Sequence, residues 1–235
     1  MSGRLASFKG PSSPAPSPSK AKQVQSPSAP ASPLRSTEST YHRKLRTLLQ
    51  ELNTVADNWD DIVLVNGLKA AKSLVDTRTD LDNALSIIPG GSQPKYRLVE
   101  PKLTEMETRI AQLDVVIEKL RKQFYRMNLI VDNIENLLFD ALKTKGLQFV
   151  QEPLWVTWSL EKFATTIPEI LVPYHRSLEM HKDIVETLRS HSVSFEASRE
   201  AIANWVAQPH LEEGSWDAQW EPLCEIEIER WNNDK

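Results

Sequence analysis

The chain contains 235 residues, of which 40% are hydrophobic and 26% are charged, a composition that favours one elongated domain over several large globular domains. Only seven glycines are present, which argues against sheet-rich folds and against enzymes that hold phosphates in glycine-rich loops. The single cysteine, Cys224, cannot form an internal disulfide, and no apolar run approaches the ~18 residues that cross a bilayer. Because the N-terminus also lacks the apolar core of a signal peptide, we expect a reducing compartment, the cytosol or the nucleus.

The charge is distributed unevenly between the first 36 residues and the rest. Residues 1–36 carry five basic side chains and no acidic one, a net charge of +5, so residues 37–235 carry −9 of the total of −4. The first 36 residues are also rich in serine and proline and have no periodic apolar pattern. We therefore predict a disordered tail at residues 1–36 and a helical domain at 37–235. Such a tail stays solvated, folds back on its domain, or binds nucleic acid weakly.

Two serines of the tail, Ser17 and Ser32, are candidate phosphorylation sites. Each is followed by proline and has a basic residue three positions further on, Lys20 and Arg35, a pattern that cyclin-dependent kinases favour. Each phosphate would add about −1.5 to −2 charges, so two phosphates would cancel most of the positive charge of the tail. Serine–proline pairs also arise by chance in a segment this rich in both residues, and the two interpretations have equal weight.

The first helical region is predicted from the capping residues Ser36 and Thr37 onward. Its apolar residues recur at steps of three and four as far as Leu85, and we expect a break near Gly67. Proline and glycine residues at 89–94 end this region, because proline cannot donate a hydrogen bond inside a helix and glycine ends one at low cost.

The longest apolar stripe runs from residue 103 to residue 141 at steps of three and four. The mean spacing of about 3.5 residues nearly matches the helical turn, so a single helix of about 60 Å is predicted. The stripe widens toward Leu137, so we expect its C-terminal half to pack in this chain's own bundle and its N-terminal half to bind a partner helix. We call this N-terminal half the seam; its residues are Leu103, Met106, Ile110, Leu113, Ile117 and Leu120.

Two further helices are predicted after the long one. Residues 167–188 repeat the apolar spacing, with two prolines that make the beginning of this helix irregular. A shorter helix at about residues 195–206 should stop before Pro209. Residues 211–235 are acidic and contain three tryptophans, with a last short helix expected near their end. The predicted fold is therefore all-α, an elongated helical bundle with long coiled-coil-like helices.

No catalytic motif or metal-binding spacing is found. The sequence has no G-x-S-x-G elbow, phosphate-binding loop, H-E-x-x-H pair or dinucleotide fingerprint. The five histidines are scattered, and one cysteine cannot build a structural zinc site of the usual composition. We expect His181, in an apolar stripe, to be a tolerated and partly buried histidine rather than a pH-sensitive contact. A protein without enzymatic activity, metal or cofactor is therefore predicted.

Aromatic residues recur in two short motifs. Pro-Leu-aromatic-x-Thr-Trp occupies residues 153–158, and Trp-hydrophobe-x-Gln-Pro occupies residues 205–209. Large rings bury much area at helix junctions, and we favour core packing over a partner-facing patch for them. The predicted aromatic cluster consists of Trp59, Trp155, Trp158, Phe163, Tyr174, Trp205 and Pro209.

These motifs, in this order, resemble the family of the cyclin-dependent kinase 2-interacting protein, in a fungal-type form with a Ser/Pro-rich N-terminal extension. Residues 56–64, from Ala56 through Trp59 to Leu64, look like the N-terminal helical signature of that family. The chain departs from the pattern by an extra residue between Asp57 and Trp59 and lacks a second tryptophan shortly afterwards. The resemblance implies a nuclear, non-enzymatic adaptor that links cell-cycle kinases, DNA replication and genome-maintenance factors.

The resemblance also implies a heterodimer with another helical protein that works beside an AAA-type ATPase in ribosome maturation. Two alternatives remain open from the sequence. One is a purely structural coiled-coil subunit of a kinetochore or tethering complex, which would have the same seam. The other is a weak nucleic-acid binder that uses the basic tail.

Overall fold

In the computed structural model of the chain, the structure describes residues 38–89 and 93–212. The predicted tail at 1–36, its serines Ser17 and Ser32, the predicted caps Ser36 and Thr37, and the last predicted helix lie outside these ranges. Within them the secondary structure is helical apart from short connections and one isolated bridge between Pro153 and Ser159. The all-α prediction is confirmed.

Helix α1, Thr40–Asp60, begins at Ser39, whose hydroxyl accepts a hydrogen bond from the His42 amide and so caps the helix. Its apolar residues lie on one face at steps of three and four, and this face is buried. The buried side chains of α1 are Leu45, Leu49, Leu52, Val55 and Trp59.

The helical path continues without interruption past Gly67. A π-helical segment, Asp61–Gly67, follows α1 directly, and α2 extends over Leu68–Ser86. The expected break near Gly67 is therefore a widening of the helix rather than an end. A π-helical turn carries an extra residue, which changes the direction in which side chains and carbonyl groups face along the helix.

Helix α3, Tyr96–Lys145, has 50 residues and a length of about 75 Å. It begins before the predicted apolar stripe and ends after it, with Lys143 and Lys145 in its last turn and Gly146 at its C-terminal cap. Gly146 has a φ of 87°, a conformation that only glycine adopts at low cost, and its amide donates to the Leu142 carbonyl.

The second half of the chain consists of shorter elements: α4 Leu147–Gln151, α5 Leu160–Thr166, a 3₁₀ turn Ile167–Ile170, α6 Leu171–Arg189, α7 Phe195–Ala207 and α8 Pro209–Glu212. The irregular start predicted for α6 is present as the 3₁₀ turn before it. Of the two prolines, one lies in the 3₁₀ turn, and the other lies in the first turn of α6, where an amide donor is not required.

Helix α3 packs against α1, α2 and α6, and α7 packs against α2 and α6. The buried apolar residues of these helices form one continuous core, in which the largest fully buried side chains are Trp59, Trp205 and Phe163. In the described part of the chain, α3 included, no helix has an apolar stretch of the length needed to traverse a bilayer.

Candidate partner-binding surface and buried motif residues

The seam lies in the core of the chain's own bundle. Leu103 is partly buried and packs on the core, and the other five seam side chains are buried: Met106, Ile110, Leu113, Ile117 and Leu120. The C-terminal half of the same stripe is also buried. Both halves of the stripe are therefore covered within the chain, and the expected division between an inward half and a partner-facing half is not present in the described fold.

The physical reason is that apolar periodicity specifies a buried face without specifying what covers it. A helix in a bundle and a helix in a two-chain coil have the same stripe. That the seam binds a partner stays a prediction, and such binding would have to displace the helices that cover the seam here. A surface that can bind a partner without unfolding of the chain must consist of exposed side chains.

The predicted aromatic cluster falls into two sets of ring contacts. In the first set, Trp59 meets Tyr174 edge to face with ring centroids 5.1 Å apart, and Trp205 meets His181 in the same way at 4.6 Å. In the second set, Phe163 contacts both Trp155 and Trp158. Pro209 is half-buried and begins α8.

Trp205 joins α7 to the π-helical segment. Its indole Nε1 donates to the carbonyl oxygen of Val63 at 3.0 Å, and both groups are buried. The indole ring lies directly against Gly67, where an added Cβ would come within 2.9 Å of Cε2 and closer still to Cζ2. Glycine at this position therefore gives the ring the space that it needs to reach Val63.

Gln208 completes this junction. Its Oε1 accepts a hydrogen bond from Trp59 Nε1 at 3.2 Å, and its Nε2 donates to Asp60 Oδ1 at 3.0 Å. Gln208 has a φ of 41°, a left-handed conformation that is unfavourable for a side chain with a Cβ. Burial raises the pKa of the Asp60 carboxyl, and the hydrogen bond from Gln208 opposes that shift. Trp59, Trp205 and Gln208 thus hold α7 against the end of α1.

His181 is fully buried, more deeply than the sequence suggested. Its Nδ1 lies 2.7 Å from the Ser177 carbonyl oxygen, which fixes Nδ1 as the protonated nitrogen in the neutral ring. Nε2 makes no hydrogen bond of ordinary geometry with the described residues. Burial lowers the pKa of His181, although the carbonyls of Ser177 and Trp205 oppose the shift. The imidazole is therefore held neutral in the core.

The second ring set closes the connection between α4 and α5. The Leu154 amide donates to the Trp158 carbonyl at 2.9 Å, which makes a compact turn. His42 Nε2 lies 2.6 Å from the Leu154 carbonyl oxygen, and the His42 ring contacts Trp155 edge to face. Burial lowers the pKa of His42 as well. The first motif thus attaches this connection to the start of α1.

Arg78 is a buried cation that the sequence did not single out. Its guanidinium donates to the Leu188 carbonyl at 2.6 Å and to the Ser198 hydroxyl at 3.2 Å. Leu188 lies at the C-terminal end of α6, where free carbonyls favour a positive charge. Burial lowers the pKa of Arg78, and Asp82 opposes that shift. Arg78 therefore joins α2, α6 and α7.

The grooves on the described part of the surface are open to solvent. The groove between α6 and α7 has a volume of about 580 Å³ and is lined by residues that include His175, His210, Glu179 and Asp183. Among the described residues, no group of three or more histidine, cysteine or acidic side chains is placed to hold a metal ion. These side chains can form polar contacts with a partner, and the geometry assigns them no further chemistry.

Large apolar side chains are exposed at several places in the described part of the chain, and two groups of them are considered as surfaces for a partner. One is the outer side of the π-helical segment, where Leu64 is 41% exposed and Val65 is 60% exposed. The other is the face of α3 that points away from the bundle, which carries Val115, Tyr125, Leu129 and Phe139. The sequence pattern does not indicate the second surface, because the stronger apolar stripe of the same helix dominates its periodicity.

Comparison with known proteins gives a distant similarity over part of the chain. No family model matches the chain. The chain is similar to the cyclin-dependent kinase 2-interacting protein of Bos taurus, with 25% identity over 112 residues, which are 48% of this chain and 52% of that protein. The chain thus spans about half the length of the curated relative that it matches. The similarity supports a distant relationship to the family that the motifs indicated, and it does not distinguish a fungal type.

Proposed function

We propose that this protein is a non-enzymatic adaptor that binds a cyclin-dependent kinase and works in the nucleus. The observation that carries the proposal is the similarity to a protein whose name states that it interacts with cyclin-dependent kinase 2. The helical bundle is compatible with this role, because its buried polar residues hold helices together while its exposed apolar side chains remain available to a partner.

We place the kinase contact on the outer side of the π-helical segment. Leu64 belongs to the stretch around Trp59 that resembles the family signature, and it differs from Trp59, Ile62 and Val63 in being exposed rather than buried. Val65 beside it is more exposed still. A motif residue that does not serve the core is a candidate for binding. π-helical segments are also frequent at functional sites.

The finer roles are extensions of this proposal. They comprise an association with DNA replication and genome-maintenance factors and a heterodimer that works beside an AAA-type ATPase in ribosome maturation. Their support is the resemblance of the sequence motifs. Proteins that co-purify with the chain from nuclei would separate these roles, because replication factors, an ATPase with ribosomal proteins, and kinetochore proteins each identify a different assembly.

The kinase contact can be tested with purified components. The full chain is immobilised and exposed to cyclin-dependent kinase 2 with and without a cyclin. We expect measurable binding, and we expect Leu64→Glu combined with Val65→Glu to weaken it at least about tenfold, since charges in an apolar contact are poorly tolerated. Phe195→Glu combined with Val206→Glu is the matched control, because these side chains are similarly exposed on α7.

Three results are informative. No binding by the unaltered chain would contradict the kinase proposal. Equal weakening by both pairs of substitutions would contradict the assignment to Leu64 and Val65 while leaving a kinase contact elsewhere. Loss in the first pair alone, with unchanged helical circular dichroism, supports both parts.

A further inference from the structure

The face of α3 that points away from the bundle has its own heptad pattern. Eight exposed residues define what we call the outer face, at spacings that alternate between three and four: Val115, Glu118, Lys122, Tyr125, Leu129, Asp132, Asn136 and Phe139. Such spacing keeps side chains on one stripe, as in a coiled coil. The four apolar members are between 42% and 64% exposed. The stripe lies opposite the buried stripe of the same helix.

The pattern is symmetric about residue 127. If a second α3 is laid antiparallel with its residue 127 at the same level, Val115 faces Phe139 and Tyr125 faces Leu129 of the other copy. Lys122 then faces Asp132, and symmetry produces this ion pair twice. The outer face is therefore complementary to itself in both apolar character and charge, which is the condition for an interface with twofold symmetry.

A parallel arrangement of the same two helices is not complementary in charge. In register, it would place Lys122 against Lys122 and Asp132 against Asp132, two repulsive contacts that select against that orientation. Neither side chain forms an ion pair with another described residue, so both charges are available. Arg126 would approach its own copy beside the axis, but it already pairs with Glu51 of its own chain at 3.1 Å.

We propose that the outer face binds a second copy of this chain as an antiparallel α3–α3 homodimer. The contact from residue 115 to residue 139 is about 36 Å long. With four partly exposed apolar side chains from each copy, it buries on the order of 1,000 Å², at the low end for specific interfaces. The dimer is therefore weak and reversible and forms at micromolar chain concentrations. This inference does not rest on the proposed function, and each can fail without the other.

Sedimentation of the full chain over a range of micromolar concentrations tests the association, and charge reversal tests the pairing. Lys122→Asp alone and Asp132→Lys alone should each raise the dissociation constant at least about tenfold, because each produces two like-charged contacts. The double variant with both changes restores the opposite charges and should regain the affinity of the unaltered chain. Both positions are exposed, and unchanged melting curves verify folding.

Cysteine cross-linking tests the orientation. In a Cys224→Ser background, a Val115→Cys chain mixed with a Phe139→Cys chain should form a disulfide, because these positions face each other. Val115→Cys alone should form none, since the two copies of residue 115 are about 36 Å apart in the antiparallel arrangement. A chain that remains monomeric, a double charge variant that does not recover, or a disulfide in the Val115→Cys chain alone would overturn the proposal.

Discussion

The indole Nε1 of Trp205 donates a hydrogen bond to the backbone carbonyl of Val63 at 3.0 Å, across 142 residues of sequence. This bond connects the second aromatic motif to the π-helical segment after the Trp59 helix. The same carbonyl oxygen also accepts the Leu68 amide within the helix, so Trp205 uses its second lone pair. The two parts of the sequence that resemble the family therefore meet in one buried junction.

Gly67→Ala should destabilise the protein, although helix propensity alone favours the change by about 1 kcal/mol. The reason is the position of the Trp205 ring: the added methyl group would overlap sterically with atoms of the ring. We expect a net loss of about 1–3 kcal/mol in the free energy of unfolding, the usual result of overpacking a core. Urea denaturation measures this loss.

The matched control for this change is Trp205→Phe, which removes part of the ring that occupies the space beside Gly67. In that background, Gly67→Ala should cost less, and a double-mutant cycle gives the coupling between the two positions. Equal costs in both backgrounds would show that the Trp205 ring is not the cause.

Gln208→Ala should cost about 1–3 kcal/mol, because the buried Trp59 indole would be left without its acceptor. Gln208→Gly loses the same two hydrogen bonds but relieves the left-handed backbone strain, so it should be less destabilising than alanine by about 0.5–1 kcal/mol. Thermal unfolding of both variants checks the order. Alanine equal to or better than glycine would show that the φ of 41° is not retained as described.

The long helices could be located from the sequence, because apolar steps of three and four are a local property, whereas the short helices α4, α5 and α8 were not predicted. The end of α3 at Gly146 and the irregular start of α6 follow from glycine and proline in the same way. The π-helical segment could not be predicted. Its contacts with Trp205, through the Val63 carbonyl and Gly67, are distant in sequence, and the residues of the segment have no composition that requires a wider turn.

The partner-binding face was harder to predict than the fold. Helix α3 carries two stripes of residues with heptad spacing. One stripe is apolar and buried, and the other contains both apolar and charged side chains and is exposed. The seam is the more apolar of the two stripes, and for the same reason it is covered by the chain's own helices. A surface that must also remain in water contains charges such as Lys122 and Asp132, which weaken its periodic signal.

The stability of the protein should fall as the pH decreases from 7 to 5. The pKa values of His181 and His42 are lowered from 6.5 in the folded state. Below pH 6.5 the unfolded chain therefore binds protons that the folded chain does not, and this favours unfolding. The stability that the neutral histidines contribute is fully present above pH 6.5, the pKa of histidine in the unfolded chain. It is lost as the pH falls from 6.5 toward the lower pKa values of the folded state.

Melting temperatures of His181→Leu across this pH range isolate the contribution of that residue. The variant should lose less stability than the unaltered chain between pH 7 and pH 5, with the remainder due to His42. His191→Gln is the control, because His191 is exposed and should leave the pH dependence unchanged. An unaltered slope in His181→Leu would mean that His181 is already accessible to protons in the folded protein.

Arg78→Met should destabilise the protein by about 1–3 kcal/mol, because the Leu188 carbonyl would lose its donor while remaining buried. The substitution keeps most of the aliphatic volume, so the effect reports the lost hydrogen bonds. Arg97→Met on the exposed start of α3 is the control and should change stability by no more than about 0.5 kcal/mol. Guanidinium denaturation compares the two. A similar small effect for both would show that Arg78 is not required to join α2, α6 and α7.

Substitutions in the seam should lower the stability of the folded chain, and they should affect partner binding only through that loss of stability. Leu113 is fully buried, whereas Val115, two residues further along α3, is exposed. Leu113→Ala should therefore cost about 2–5 kcal/mol through lost burial and a cavity, whereas Val115→Ala should change stability by no more than about 0.5 kcal/mol. Charged residues at Leu120 and Met127, both without solvent exposure, should abolish partner binding only together with the helical structure. If circular dichroism showed those charged variants folded while a partner was lost, the seam would be a binding surface after all, reached by opening of the helices that cover it.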